Sequence, residues 1–334
     1  MTTEHRDLEA GREAPHATPP AEARATMRGR VLTVVRVAVT LAAFGWVFSR
    51  VDLSALGAAF GRVPWTSLAL AVVLTLGNLG VGSLRWRTLL SAFGASRIPS
   101  MASLYRLNVI GFFYNVWLPG GVGGDVVRGI ASREAFGEAG ATGSVAVVFV
   151  ERVLGLVGLL LLVGFSSVLY PIAGVDGVLT GSALGIAAGA GALVALTVGR
   201  ALAPRLPAPL RRIAERLPKI ARPAPFVGAL ALSLVTQTTV AVTGHVFIHA
   251  LHPEIPLTTS LVMVPLAMAT SFIPITAGGA GAREAVFQSL YGHVGVSFED
   301  ATAASLMFAG TYYLVGAIGG LLRVPPASAS REAP

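Results

Sequence analysis

The sequence contains no cysteine, and Lys219 is the one lysine among its 25 basic residues. Without cysteine there are no disulfides, no thiol nucleophile and no thiolate-bound metal. Charge is scarce as well. Only 13% of the 334 residues are Asp, Glu, Lys or Arg, against about 25% in ordinary soluble chains. So little charge cannot solvate a globular surface, which excludes a soluble protein. Familiar catalytic signatures are also missing. The Gly-Gly-Val-Gly-Gly-Asp string at 120–125 lacks the Lys-Ser/Thr that completes a phosphate-binding loop. There is no Gly-x-Ser-x-Gly elbow, His-Glu-x-x-His helix or Asp-Asp-x-x-Asp run. Neither a catalytic residue nor a cofactor is expected.

What is present is apolar: 54% of residues are hydrophobic, in runs near the ~20 residues that cross a bilayer as a helix. Eight such segments stand out, at 31–49, 64–84, 101–118, 143–170, 177–198, 225–250, 257–275 and 300–322. The pattern predicts an all-α polytopic membrane protein with one integral domain over 27–323. The polar stretch 1–26 and the end 324–334 bury nothing, and both are expected to be disordered tails. The formal charge of +8 then reflects arginines in cytoplasmic loops rather than affinity for nucleic acid.

Eight full crossings conflict with that charge bias. Arg24, Arg28 and Arg30 place the N-terminus in the cytoplasm, and counting crossings would put 199–224 outside. Yet that loop holds Arg200, Arg205, Arg211, Arg212, Arg216, Lys219 and Arg222, which belong inside. The conflict disappears if 101–142 enters and leaves on one face. The apolar run there breaks at Pro119, Gly123 and Gly124, and a second run breaks at Pro274, Gly278, Gly279 and Gly281. Proline and glycine do not sustain a helix interior, and irregular backbone at membrane depth must line a cavity or be buried in protein. The expectation is six full crossings and two opposed re-entrant hairpins, 101–142 and 257–291, in the inverted-repeat plan of transporters. Both termini would face the cytoplasm of a bacterial inner membrane. Two lesser features are a basic amphipathic helix over 210–221 on the inner leaflet and a Gly181/Gly185/Gly189 stripe for close helix packing.

Few ionisable groups interrupt the apolar runs, and each costs about 2.5–3.5 kcal/mol to insert unless it is paired or hydrated. Arg36, Arg106, Asp125, Arg128, Glu151, Arg152, Arg283 and Glu284 are the ones to explain. Asp125 and Arg128 are spaced to share a helical face. Glu151 and Arg152 are adjacent, so they point about 100° apart and each requires a partner elsewhere; Arg283 and Glu284 pose the same problem. The functional reading brings all three pairs to one polar cavity. There arginines would contact a lipid phosphate and the carboxylates would hold the arginines or meet a cationic head. The bland reading is that these charges only lock the bundle. His245, His249 and His252 share a helical face and are weak metal candidates. Trp46, Trp65, Trp86 and Trp117 read as interfacial anchors.

Four motifs occur in order: Asn115-x-x-Leu118-Pro119, Gly123-Gly124-Asp125-x-x-Arg128, Glu151-Arg152-x-x-Gly155, and Pro274 followed by Gly278-Gly279-x-Gly281-x-Arg283-Glu284. With this hydropathy the chain resembles the lysylphosphatidylglycerol synthase transmembrane (flippase-like) family, over about 31–323. The resemblance implies a membrane part that translocates a phospholipid, in full synthases an aminoacylated one made by a cytosolic transferase domain. The chain ends 11 residues after Arg323, so a member lacking that aminoacyl-transferase domain is expected. Lipid contact falls on Asn115, Asp125, Arg128, Glu151, Arg152, Arg283 and Glu284. The expected partner is a membrane phospholipid or another amphiphile, with a separate lipid-modifying enzyme as a further partner. Competing functions are a membrane-embedded transferase or hydrolase using the histidine face or Glu151, and a scaffold for a synthase docking on 199–224.

Overall fold

The computed structural model describes residues 49–118, 123–171, 220–270 and 281–323, with scattered positions within 34–46 and 183–211. Among them the chain is helical and forms no strand. The helices are α1 (Leu53–Arg62), α2 (Trp65–Ala92), α3 (Met101–Trp117), α4 (Gly123–Ala131), α5 (Gly140–Leu169), α6 (Pro223–Leu251), α7 (Leu257–Ala269), α8 (Ala282–Gly292) and α9 (Phe298–Gly320). A 3-10 segment, Arg133–Ala139, joins α4 to α5.

Four helices, α2, α5, α6 and α9, are long and apolar enough to cross a membrane. At 1.5 Å per residue, the 28 residues of α2 span roughly 42 Å, more than the ~30 Å hydrocarbon core. Their outward faces carry exposed Val73, Phe149, Phe165, Val235 and Leu314. In water so large an apolar surface would be an aggregation site; against lipid tails it costs nothing. The polar residues face inward, and most satisfy themselves locally. The Thr75, Ser83, Ser233 and Thr311 hydroxyls donate to backbone carbonyls one turn back.

Helix ends follow local chemistry. Asp52 caps α1, accepting from Ser54 N at 2.8 Å, and Ser297 caps α9 through Asp300 N at 3.1 Å; such side chains satisfy amides that a helix start leaves open. α2 closes where Gly94 turns to φ +76° and Ala95 N donates to Leu90 O at 2.9 Å. The glycine permits this left-handed ending. α2 therefore runs to Ala92, eight residues beyond the apolar run expected to end at 84. Arg85 belongs to the helix, not to a loop.

The expected interruption after Trp117 is present. α3 ends there, α4 resumes at Gly123, and α4 runs back along α3. A Cβ on Gly124 would lie 1.8 Å from the Gly111 carbonyl oxygen, and one on Gly111 would lie 2.7 Å from Arg128 Cδ. These glycines let two backbones touch. Pro119 lies outside the described residues. In the second half α7 and α8 pack together likewise, with Ser260 Oγ 2.7 Å from the Tyr291 hydroxyl, joining the start of one helix to the end of the other. Pro274, Gly278 and Gly279 fall outside the described residues; Gly281 caps α8 at φ +80°.

The helices form two units with the same order: a long helix, a packed pair, a long helix. Exchanging α2 with α6, α3 with α7, α4 with α8 and α5 with α9 leaves the main contacts among these eight helices unchanged, while α1, which packs on α9 and α6, has no counterpart among the described residues. α2 packs on α6, α3 on α9 as α7 on α5, α5 on α6 as α9 on α2. This internal two-fold relation is stronger in packing than in sequence. The segment 31–49, the 210–221 helix and Gly181 lie wholly or largely outside the described residues, whereas the described positions of 177–198 are helical. Gly185 and Gly189 face Leu160 of α5, as a packing stripe should.

Candidate functional site: a charged cavity between the helices

α2, α3, α4, α5 and α6 enclose a cavity of about 300 Å³, at the small end of ligand clefts (about 300–1,000 Å³). Its centre is Glu151 on α5, which is buried. Arg85 Nη2 donates to Glu151 Oε1 at 3.0 Å, and Arg128 Nη2 donates to Oε2. A carboxylate flanked by two guanidiniums satisfies both oxygens, which is what low dielectric demands of a buried ion. The second carboxylate, Asp125, accepts from Arg152 Nε and from Asn115 Nδ2 at 3.3 Å. Arg128 Nη1 stands 3.8 Å from it.

Supporting contacts hold these groups in place. Arg85 Nη1 donates to Thr236 Oγ1 at 3.0 Å. Asn115 Oδ1 accepts the Gly124 amide at 2.8 Å, so one side chain fixes both the start of α4 and Asp125. Arg128 lies over Trp86, 4.3 Å from guanidinium carbon to ring centroid. Asn108 Nδ2 donates to the Leu79 carbonyl at 2.9 Å, and Gln237 Nε2 to the Gly155 carbonyl at 2.9 Å. Both amides line the cavity together with Asn78.

Of the residues singled out from the sequence, Asn115, Asp125, Arg128, Glu151 and Arg152 meet here. Glu151 and Arg152 indeed take separate partners. Arg283 and Glu284 do not line this cavity, and they pair with each other: Arg283 Nε donates to Glu284 Oε1 at 3.0 Å. Adjacent positions diverge on a helix, but at the first turn a long arginine can fold back, while Glu284 Oε2 accepts the Gly281 amide at 2.6 Å. Trp86 is no interfacial anchor. It is fully buried, the platform beneath Arg128. Arg106 is exposed, and Arg36 lies outside the described residues.

The three histidines do not converge. His245 Nδ1 lies 2.9 Å from Ser260 Oγ, and its ring is 5.4 Å from that of His249. His252 instead ends α6 and bridges Glu254 Oε1 at 2.7 Å and Asp300 Oδ2 at 2.9 Å, with Arg62 on the other Asp300 oxygen. Hydrogen bonds from its own amide and from His252 hold the Glu254 carboxyl below its ordinary range. Among the described residues no group of three such side chains is placed to hold a metal ion.

Sequence reasoning missed Arg85, Asn78, Asn108, Thr236 and Gln237. Arg85 carried a usable signal, since a helix of ~20 residues starting at Trp65 ends beside it and a slightly longer one includes it. The amides and the threonine carry none, because isolated polar residues in apolar runs are common.

These features define a polytopic helical membrane protein with a buried ionic cavity. The family model for the lysylphosphatidylglycerol synthase TM region matches residues 33–320, and the chain belongs to that family. No curated protein matches it.

Proposed function

We propose that the protein translocates an amphiphilic lipid across the bacterial inner membrane. The head group passes through the cavity around Glu151 while the acyl chains stay among the lipid tails. One observation carries this reading: five ionised side chains surround a space of head-group size between the short helices α3 and α4 and three helices of membrane-crossing length, α2, α5 and α6. Intramembrane ions are costly and default to a functional role. Salt bridges that served only as locks would need no void beside them.

The topology that fits is six crossings and two re-entrant hairpins, α3–α4 and α7–α8, within a single domain over 27–323 and with cytoplasmic termini. The interruption between α3 and α4, the exchange-symmetric packing and the basic residues of 199–224 support it. In an inverted repeat the two hairpins enter from opposite faces, and the substrate site lies where broken helices meet. Asn115 and Gly124 sit at such a break.

Purified protein in liposomes with head-group-labelled phospholipids tests the reading. The wild type moves label between leaflets faster than an Asp125→Ala/Glu151→Ala variant, and faster than Asn115→Ala, which spares every ion pair. Wild-type rates no higher than those of protein-free liposomes, for anionic and zwitterionic lipids alike, would overturn it.

A further inference from the structure

We propose that Glu284 is a proton-binding site, loaded from the membrane face at which α6 ends, and that its proton is the co-substrate of lipid translocation. This rests on the translocation reading and adds its driving ion. The exchange that maps α4 onto α8 takes Asp125 to Glu284, the third residue of each short helix. Asp125 lines the cavity, whereas Glu284 is fully buried away from it. A buried carboxylate in a membrane protein points to function, and the cavity makes no use of this one.

A polar ladder leads to it. Glu284, Gln288 and Tyr291 stand at i, i+4 and i+7 on one face of α8, and each is buried. The Tyr291 hydroxyl lies 2.7 Å from Ser260 Oγ, which lies 2.9 Å from His245 Nδ1. The His245 ring is 5.4 Å from that of His249, which is exposed within the last turn of α6. On the middle rung Gln288 Nε2 donates to Thr302 Oγ1 at 2.5 Å, while Gln288 Oε1 is buried and finds no donor among the described residues. Natural interiors seldom leave such an oxygen unpaired. A water donating to it would bridge the gaps of about 5 Å toward Tyr291 and Glu284. On the last rung Ser305 Oγ lies 3.5 Å from Glu284 Oε1. The helices packed on α8 are α7 and α9. α7 carries no ionisable side chain. On α9, Tyr312 is within electrostatic reach of Arg283, and Asp300 is engaged by Arg62 and His252.

Glu284 can be neutralised without parting helices. Asp125 and Glu151 hold arginines of other helices, so protonating either cuts bridges across the bundle. Glu284 holds its own neighbour Arg283 and the Gly281 amide. A proton arriving from water at the His249 end and bound on Oε1 makes that oxygen a donor to Ser305, releases Arg283 and leaves Oε2 on the amide. The released guanidinium is a buried cation that a lipid phosphate neutralises, which links proton uptake to head-group binding.

Two readouts on the full chain test this. In infrared spectra of detergent-purified protein, lowering the pH produces a protonated-carboxyl band that Glu284→Gln removes and Glu284→Asp shifts. Tyr291→Phe, which keeps the ring and breaks the ladder, retains the band but slows its appearance after a pH jump. In liposomes containing head-group-labelled phosphatidylglycerol, with the membrane potential clamped to zero, a gradient of about one pH unit moves the wild-type leaflet ratio about tenfold for one proton per lipid. Glu284→Gln leaves that ratio at its value without a gradient. The inference is overturned by the lack of a Glu284-dependent band, or by uptake in Tyr291→Phe as fast as in the wild type. It is equally overturned by a wild-type leaflet ratio that ignores the gradient while label still crosses. A Glu284-dependent band in protein that moves no lipid refutes the transport reading and leaves the proton site standing.

Discussion

Arg85 Nη2 lies 3.0 Å from Glu151 Oε1 although 66 residues of sequence separate them. The pair ties α2 to α5. Arg128 occupies the second carboxylate oxygen, so one acid organises arginines from two other helices.

Removing that acid exposes the coupling. Glu151→Gln leaves half-buried Arg85 without its counter-charge and buried Arg128 with only Asp125 at 3.8 Å, and breaking a buried pair from one side costs about 3–5 kcal/mol. Thermal unfolding of the purified variant should register that loss. Adding Arg128→Gln to the same chain should cost less than the sum of the single changes, because the two side chains share one interaction.

The platform beneath Arg128 is separable from its charge. Trp86→Phe keeps an aromatic face under the guanidinium and should cost about 1 kcal/mol. Trp86→Ala also opens a cavity and should cost about 3–5 kcal/mol. The difference between the two should shrink when Arg128 is Gln, as judged by unfolding midpoints in micelles.

Two glycines in helices should respond oppositely to alanine. Gly124→Ala drives a methyl into the Gly111 carbonyl, so α3 and α4 must part at a cost of about 3 kcal/mol. Gly57→Ala, mid-α1 with open space around it, should gain about 0.5–1 kcal/mol from helix propensity. Both shifts can be read from thermal melts of the full chain.

The start of α1 should be acid-sensitive. The Ser54 hydroxyl and amide, together with the Ala55 amide, hold the Asp52 carboxyl below its ordinary value of 3.8. A carboxylate depressed in the folded state contributes its capping fully above that ordinary value and loses it as pH falls through the depressed one. Amide exchange at Ser54 and Ala55 should therefore accelerate, beyond the intrinsic pH trend, only as pH drops below 3.8. In Asp52→Asn the extra acceleration should vanish.

Much of the fold is legible in the linear chain because hydrocarbon imposes simple rules. Runs near 64–84, 143–170, 225–250 and 300–322 correspond to α2, α5, α6 and α9, since only a helix satisfies its own backbone there. The break after Trp117 was legible because proline and clustered glycine cannot continue one. Asp125, Arg128, Glu151 and Arg152, which line the cavity, were legible as groups needing shelter because ions are expensive in an apolar run.

Pairing was not legible. Whether Arg152 turns to Asp125 or Arg283 folds onto its own neighbour depends on rotamers and on which helix lies opposite. Trp86 looked like an interfacial residue until α4 laid Arg128 across it. Composition and hydropathy by themselves determined a membrane-embedded helical chain with charges that require shelter, because solvation energy acts residue by residue. Only the tertiary structure decided which charges share a cavity and which seal one another, because electrostatic partnership acts through space between helices far apart in sequence.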